Sequence, residues 1–153
     1  MKLTTRSRYG TRMLLDLAQH AGEGPVRVID IAARQGLSVK YLEKLARSLK
    51  KAGLIRSVRG AKGGHWLARP ASDISMGEIV RALEGDLNIV TCRTERAVCP
   101  RLKTCPAHKV WEEVSHALHE RLDAMMLDEL LASSGPFPAG VENGVALCAS
   151  GEI

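Results

Sequence analysis

Between about residues 5 and 20, apolar positions return every three or four residues, at Tyr9, Met13, Leu14 and Leu17. This spacing predicts an amphipathic helix that Thr4 or Thr5 can cap. The stretch "AGEGP" ends it, because two glycines and a proline interrupt the period. The next run, "VRVIDIAARQGLSVKYLEKLARSLKKAGLI", divides at "QGLS". Ile29, Ala32 and Ala33 predict a short helix, and Gly36 suits a left-handed position after it. Ser38 suits the N-cap of a second helix, in which Leu42, Leu45, Ala46 and Leu49 share one side.

The period then changes. "GLIRSVRGAKGGHWLARP" predicts two short strands, 54–58 and 65–68, joined by a glycine-rich basic loop and limited by Pro70. A short helix, a tight turn, a longer helix and a hairpin make a winged helix-turn-helix, so the expected fold is mainly α with a small β-hairpin wing. In "DISMGEIVRALEG" Ser75 and Glu78 form a capping box ahead of Ile79, Val80 and Leu83. Residues 86–106 show no period. A stripe through Val110, Val114, Leu118, Leu122, Met125 or Met126, and Leu130 then predicts a long helix over 107–131, with a break near Met126. Unbroken, it would extend about 37 Å. That exceeds what so small a chain needs to cover its own core, so the surplus apolar edge is expected to meet a second copy. The expected organisation is a DNA-binding region over 1–70, a linker helix, cysteine loop and dimerisation helix over 71–131, and a flexible tail over 132–153.

Composition supports packed helices. Aromatic residues are 3% of the 153, so the core must come chiefly from Leu, Ile, Val, Met and Ala. Residues 1–70 carry 15 Lys or Arg against 4 Asp or Glu, and residues 71–153 carry 7 against 13. The basic first half points to a polyanion partner, here double-stranded DNA. No apolar run has signal-peptide or membrane-span length, which gives the expectation of a cytoplasmic protein with no membrane partner. There is no Walker-type lysine motif, no dinucleotide fingerprint and no nucleophile–base–acid set, so an enzyme is not expected.

On the second helix of the pair, Lys40, Lys44, Arg47 and Lys51 suit phosphate neutralisation beside Ser38 at its start, as does Arg8 on the first helix. Tyr41 and Glu43 suit base edges, since a carboxylate can accept from a cytosine amino group and is repelled by the backbone. Arg59, Gly60 and Lys62 form the tip of the wing, where they would enter or flank the minor groove.

The segment "CRTERAVCPRLKTCPAHKVW" holds three of the four cysteines. Six and five residues separate Cys92, Cys99 and Cys105, and His108 follows three positions later. Zinc knuckles use close cysteine pairs, which are absent here, and wider gaps suit a loop around a larger cofactor. From the residues alone an iron-sulfur site, zinc, a reversible disulfide or sulfenic switch, and inert cysteines all stay open. Cys148, in the tail, reads as a bystander.

The segments "MKLTTRSRYG", "GLSVKYLEKLARSLKKAGLIRSVRGAKGG" and the cysteine stretch ending "CPAH" resemble the bacterial IscR-type iron-sulfur-responsive winged-helix regulators over about residues 1–135. The resemblance implies a homodimer with one helix-turn-helix per subunit, binding a pseudo-palindromic operator. It further implies a 2Fe-2S cluster on Cys92, Cys99, Cys105 and His108, loaded by iron-sulfur assembly machinery. The alternative is a 4Fe-4S cluster of the kind that uses an N-terminal carboxylate, which "TTRSRYG" lacks. The Cys92 to Cys99 gap is one residue longer than the family pattern. The Glu43 position resembles one that lets cluster-bearing and cluster-free forms prefer different operators. Two other functions compete with the cluster sensor: a thiol-redox or metal-responsive regulator without a cluster, and a redox or metal-binding protein that uses the helix-turn-helix only as scaffold.

Overall fold

The Thr4 side chain accepts a hydrogen bond from the Arg6 amide, which satisfies one orphan donor and starts α1 (Thr5–Gln19). The computed structural model describes residues 3–60, 62–85, 88–90, 92 and 98–133. Helix α1 buries Met13, Leu14 and Leu17 of the expected stripe and runs through the middle of the core. It packs against α2 (Val28–Gln35), α3 (Val39–Lys51), the wing and α4 (Met76–Glu84).

Helix α2 forms where the pattern predicts, and of the three apolar residues that mark it only Ala32 is buried. Ile29 is 58% exposed and Ala33 is exposed, whereas Ile31, Ala32 and Gln35 are buried. The cause is Gln35, a polar residue that belongs to the core because Arg12 donates to its side-chain oxygen while its own amide donates to Asp16. The outward side carries the Arg27–Asp30 ion pair. Gly36 follows in the left-handed region at φ 62°, as expected, and hands the chain to α3. Ser38 occupies the N-cap position of α3 without a side-chain capping bond. Leu42, Leu45, Ala46 and Leu49 all face the core, and burying each leucine contributes about 2 kcal/mol.

The wing is an antiparallel pair, β1 (Ile55–Val58) and β2 (Gly64–Leu67), with Arg56 opposite Trp66 and Val58 opposite Gly64. Val26 exchanges backbone bonds with His65 at 2.8 Å each way, tying the α1–α2 connection to β2. A Cβ at Gly64 would lie 2.6 Å from the Val26 carbonyl oxygen, so this approach admits only glycine.

Ser75 and Glu78 make the predicted capping box at the start of α4. The long helical stretch breaks near Met126, as expected: α5 (Pro106–Asp123), about 27 Å, ends at Ala124, and α6 (Leu127–Ser133) follows after residues 124–126. Ser75 and Met126 pair as an isolated bridge, and Leu127 is buried, so α6 folds back onto α1. Most of α5 stands clear of the core. Its one buried residue is Ser115, while Val110, Trp111 and Val114 are 55%, 44% and 43% exposed. No helix among the described residues is long and apolar enough to cross a membrane. The expected tail lies, from residue 134 onward, outside the described residues, together with Cys148.

Candidate functional site

The candidate DNA-binding surface comprises α3 and the wing. Because one side of α3 is filled by its four core residues, Lys40, Glu43, Lys44, Arg47 and Lys51 are exposed. Ser38 is exposed at its start. Arg59, Gly60 and Lys62 are exposed beside it on the wing, with Gly60 at φ 117° in the turn. Lys50 donates to the Ser57 hydroxyl at 2.6 Å, pinning β1 to α3. A groove of about 340 Å³ between helix and wing is lined by Glu43, Arg47, Lys50, Ser57 and His65. Burial, and then the Lys50 charge, hold the His65 imidazole below its ordinary pKa.

Tyr41 sits differently from its neighbours. It is half-buried, edge-on to Tyr9 with ring centroids 6.0 Å apart, and its hydroxyl lies 3.1 Å from that of Thr5. The Arg8 guanidinium lies 5.6 Å from the Tyr9 ring centroid, on the same side of α1.

Two supporting carboxylates have no signature in the sequence. Asp16, fully buried on α1, accepts from Arg34 Nε at 3.0 Å and Nη2 at 2.6 Å and from Gln35 Nε2 at 3.1 Å. This fork fixes the end of α2, and so the turn that orients α3. Glu84, at the end of α4, accepts from the amides and hydroxyls of both Thr4 and Ser7. Burial raises its pKa, and those donors more than reverse the effect, bringing it to about 2.

The predicted sensory residues lie at the root of α5. Cys92 and Cys105 are half-buried, Cys99 is exposed, and all three are free thiols. The Cys99 amide donates to the Cys92 carbonyl at 2.9 Å. Cys105 is the N-cap residue of α5, and Pro106 fills its first position. His108 follows in the first turn, its Nε2 lying 3.8 Å from Glu112 while its buried Nδ1 has no hydrogen-bond partner. A cavity of about 320 Å³ opens here, lined by Asn88, Cys92, Leu102, His108, Glu112 and His119. Its loop wall is held to α5 by Ser115, which accepts from the Ile89 amide at 3.2 Å and donates to the Trp111 carbonyl at 2.7 Å.

A protein-family profile, Rrf2, described as iron-dependent transcriptional regulator, matches residues 3–133. The chain belongs to the Rrf2 family. It is 50% identical over 143 residues to protein rrf2 of Nitratidesulfovibrio vulgaris, covering 94% of this chain and 95% of that protein. Among solved structures it is similar to IscR of T. potens, with 43% identity and a TM-score of 0.70 over 88% of this chain and 89% of that one. It is also similar to the oxidized form of Staphylococcus aureus CymR, with 39% identity and a TM-score of 0.68 over 89% and 100%. Rrf2 proteins are transcriptional regulators and not enzymes, and a winged helix with a projecting helix is the architecture of a DNA-binding homodimer.

Within this Rrf2 chain the expectation of an iron-sulfur cluster on Cys92, Cys99, Cys105 and His108 is corrected. Among the described residues no group of three or more His, Cys, Asp or Glu side chains is gathered closely enough to hold a metal ion. Cluster binding needs several donors converging on one point. Here Cys99 is exposed and the nearest carboxylate to His108 stands at 3.8 Å without a third donor to complete a set. The donor set therefore does not fit the cofactor, whether 2Fe-2S or 4Fe-4S, and a need for assembly machinery loses its support.

Proposed function

We propose that the chain is a cytoplasmic, homodimeric transcription regulator that reads a pseudo-palindromic operator and responds to the oxidation state of its cysteine segment. The observation that carries this reading is the exposed face of α3. Lys40, Lys44 and Arg47 surround Glu43 on the side opposite the buried leucines, with the basic wing tip beside them. The three cations, with Lys51, Arg8, Arg59 and Lys62, neutralise phosphates and set the register. Glu43 and the hydroxyl of Tyr41 read base edges, Ser38 approaches the backbone at the helix start, and Gly60 lets the wing come close. Residues 1–70 form the reading unit, and 71–131 extend it with the loop and the helix that meets the second copy.

The exposed apolar face of α5 supports the dimer, since Val110, Trp111 and Val114 would otherwise face water. Thiol chemistry is supported by three free cysteines at the root of that helix, and a relative of known structure has been solved in an oxidized form.

The test is selection of bound duplexes by the reduced protein, followed by titration across salt concentrations. Two half-sites centred about 34–36 Å apart, or a multiple of that, are expected. So is a linear fall of log affinity with log salt, of roughly 0.9 per neutralised phosphate. Binding that ignores both sequence and salt would instead assign the helix-turn-helix to scaffold.

A further inference from the structure

We infer that Cys92 and Cys99 are an oxidisable dithiol, which a peroxide converts to a disulfide within the loop and thereby shifts operator affinity. The inference rests on the regulator reading above and names the chemistry of its sensory segment. The Cys99 amide bonds to the Cys92 carbonyl at 2.9 Å. Opposed residues that exchange both backbone bonds have Cα atoms roughly 5.5 Å apart, and this single bond brings the two cysteines into the same neighbourhood. Disulfides span Cα separations of about 4.4–6.8 Å, so two backbones joined in this way suit a disulfide once the side chains turn toward each other. Both thiols are free.

The two cysteines divide the work by exposure. Cys99, open to solvent, meets the oxidant first, and half-buried Cys92, on the wall of the α5 cavity, resolves it. The Cys99 thiol loses its proton to solvent, and its sulfur attacks the peroxide. The O–O bond breaks, one oxygen stays on sulfur as sulfenic acid, and the other leaves with a proton as water or an alcohol. The Cys92 sulfur, losing its own proton, then attacks the sulfenic sulfur, and the S–O bond breaks as water departs. Two electrons pass to the peroxide and one S–S bond forms. A dithiol reductant reverses the step by exchange. The product links Cys92 and Cys99 close in sequence to Ile89, whose amide is bonded to Ser115 of α5. A change there is transmitted to the helix that sets the spacing of the two reading heads.

The full-length reduced protein is treated with hydrogen peroxide, digested without reduction, and mapped by mass. A Cys92–Cys99 linked peptide, lighter by two hydrogens than the reduced pair, is expected, together with a change of about fivefold or more in affinity for the selected operator. Cys92→Ser is expected to leave Cys99 as a sulfenic acid trapped by dimedone, and to lose the affinity change. Cys148→Ser is expected to behave as the wild type. Pairing of Cys99 with Cys105, Cys148 or a cysteine of the second copy, no thiol consumption, or a mapped disulfide with unchanged affinity would each overturn the inference. No thiol consumption, or an unchanged affinity, would also remove the oxidation response from the reading above, whereas its DNA-binding part fails only if the reduced protein shows no sequence- and salt-dependent binding.

Discussion

Replacing Asp16 by alanine tests whether a single buried carboxylate holds the turn of the reading head. The side chain is 1% exposed and takes two bonds from Arg34 and one from Gln35. Its loss leaves Gln35 Nε2 buried without that acceptor, a cost of about 1–3 kcal/mol. Breaking a fully buried ion pair costs about 3–5 kcal/mol. Arg34 is one-third exposed and rehydrates, which removes much of that second contribution. Together these give about 3 kcal/mol for Asp16→Ala. Asp16→Asn keeps the shape and one acceptor, and should cost about half as much on the same reasoning. The assay is equilibrium urea unfolding at fixed protomer concentration, because a dimer's apparent stability depends on it. The midpoint should fall with an unchanged slope, and the loss should persist in high salt because the pair is buried. Operator binding should weaken more than for a core variant of equal instability, since the fork sets the angle between α2 and α3. A stability change within about 0.5 kcal/mol of wild type, or equal costs for alanine and asparagine, would refute the reasoning.

Glu84 should make the protein acid-sensitive. Its folded pKa, about 2, lies below the ordinary 4.5, so its contribution is complete above pH 4.5 and is lost as pH falls toward 2. Acid-unfolding curves of Glu84→Gln should be flatter than wild type across that window, and parallel curves would show that the carboxylate contributes nothing. Gly36 sits at φ 62°, so Gly36→Ala should destabilise by about 1 kcal/mol, read as a drop in melting temperature. Arg47→Ala should weaken all duplexes alike and reduce the salt slope by roughly one contact. Glu43→Ala should leave that slope unreduced and relax base preference at one position of each half-site, read by repeating the duplex selection.

Much of this fold is legible because its period is carried by strongly apolar side chains. Leu42, Leu45, Ala46 and Leu49 mark α3, and the Ser75–Glu78 box marks the start of α4. Gly36 announces the turn because only glycine takes that backbone conformation cheaply. The inward face of α2 is not legible because Gln35 is polar by type and buried by virtue of Asp16 and Arg12, residues about twenty positions away. Asp16 and Glu84 are invisible for the same reason, since their partners are set by packing rather than spacing. The cysteine segment shows the limit most sharply. Spacing displays which donors lie near one another along the chain, and a metal site requires them to converge in space, which the described residues do not do.

The cysteine loop and α3 are far apart in sequence, yet polar links connect them. Ile89 is bonded to Ser115 of α5, and Asp123 at the far end of α5 is paired with Arg81 of α4. Glu84 on α4 caps the start of α1, and Thr5 there contacts Tyr41 of α3. At the middle junction a Cβ on Gly77 would meet the Asp123 carboxylate, so a larger residue there would displace the side chain that pairs with Arg81. Contiguity gives a route, and coupling requires that some element on it have two arrangements. On the inference above that element is the Cys92–Cys99 pair, with Ile89 bonded to Ser115 on one side and Cys105 at the start of α5 on the other. Under the proposed switch, a disulfide there leaves the candidate DNA-facing side chains of α3 in place and acts instead on the position of α5. If α5 carries the dimer contact, a tilt of that helix is expected to appear as a change in half-site spacing, so discrimination among operators would come from geometry shared by both subunits.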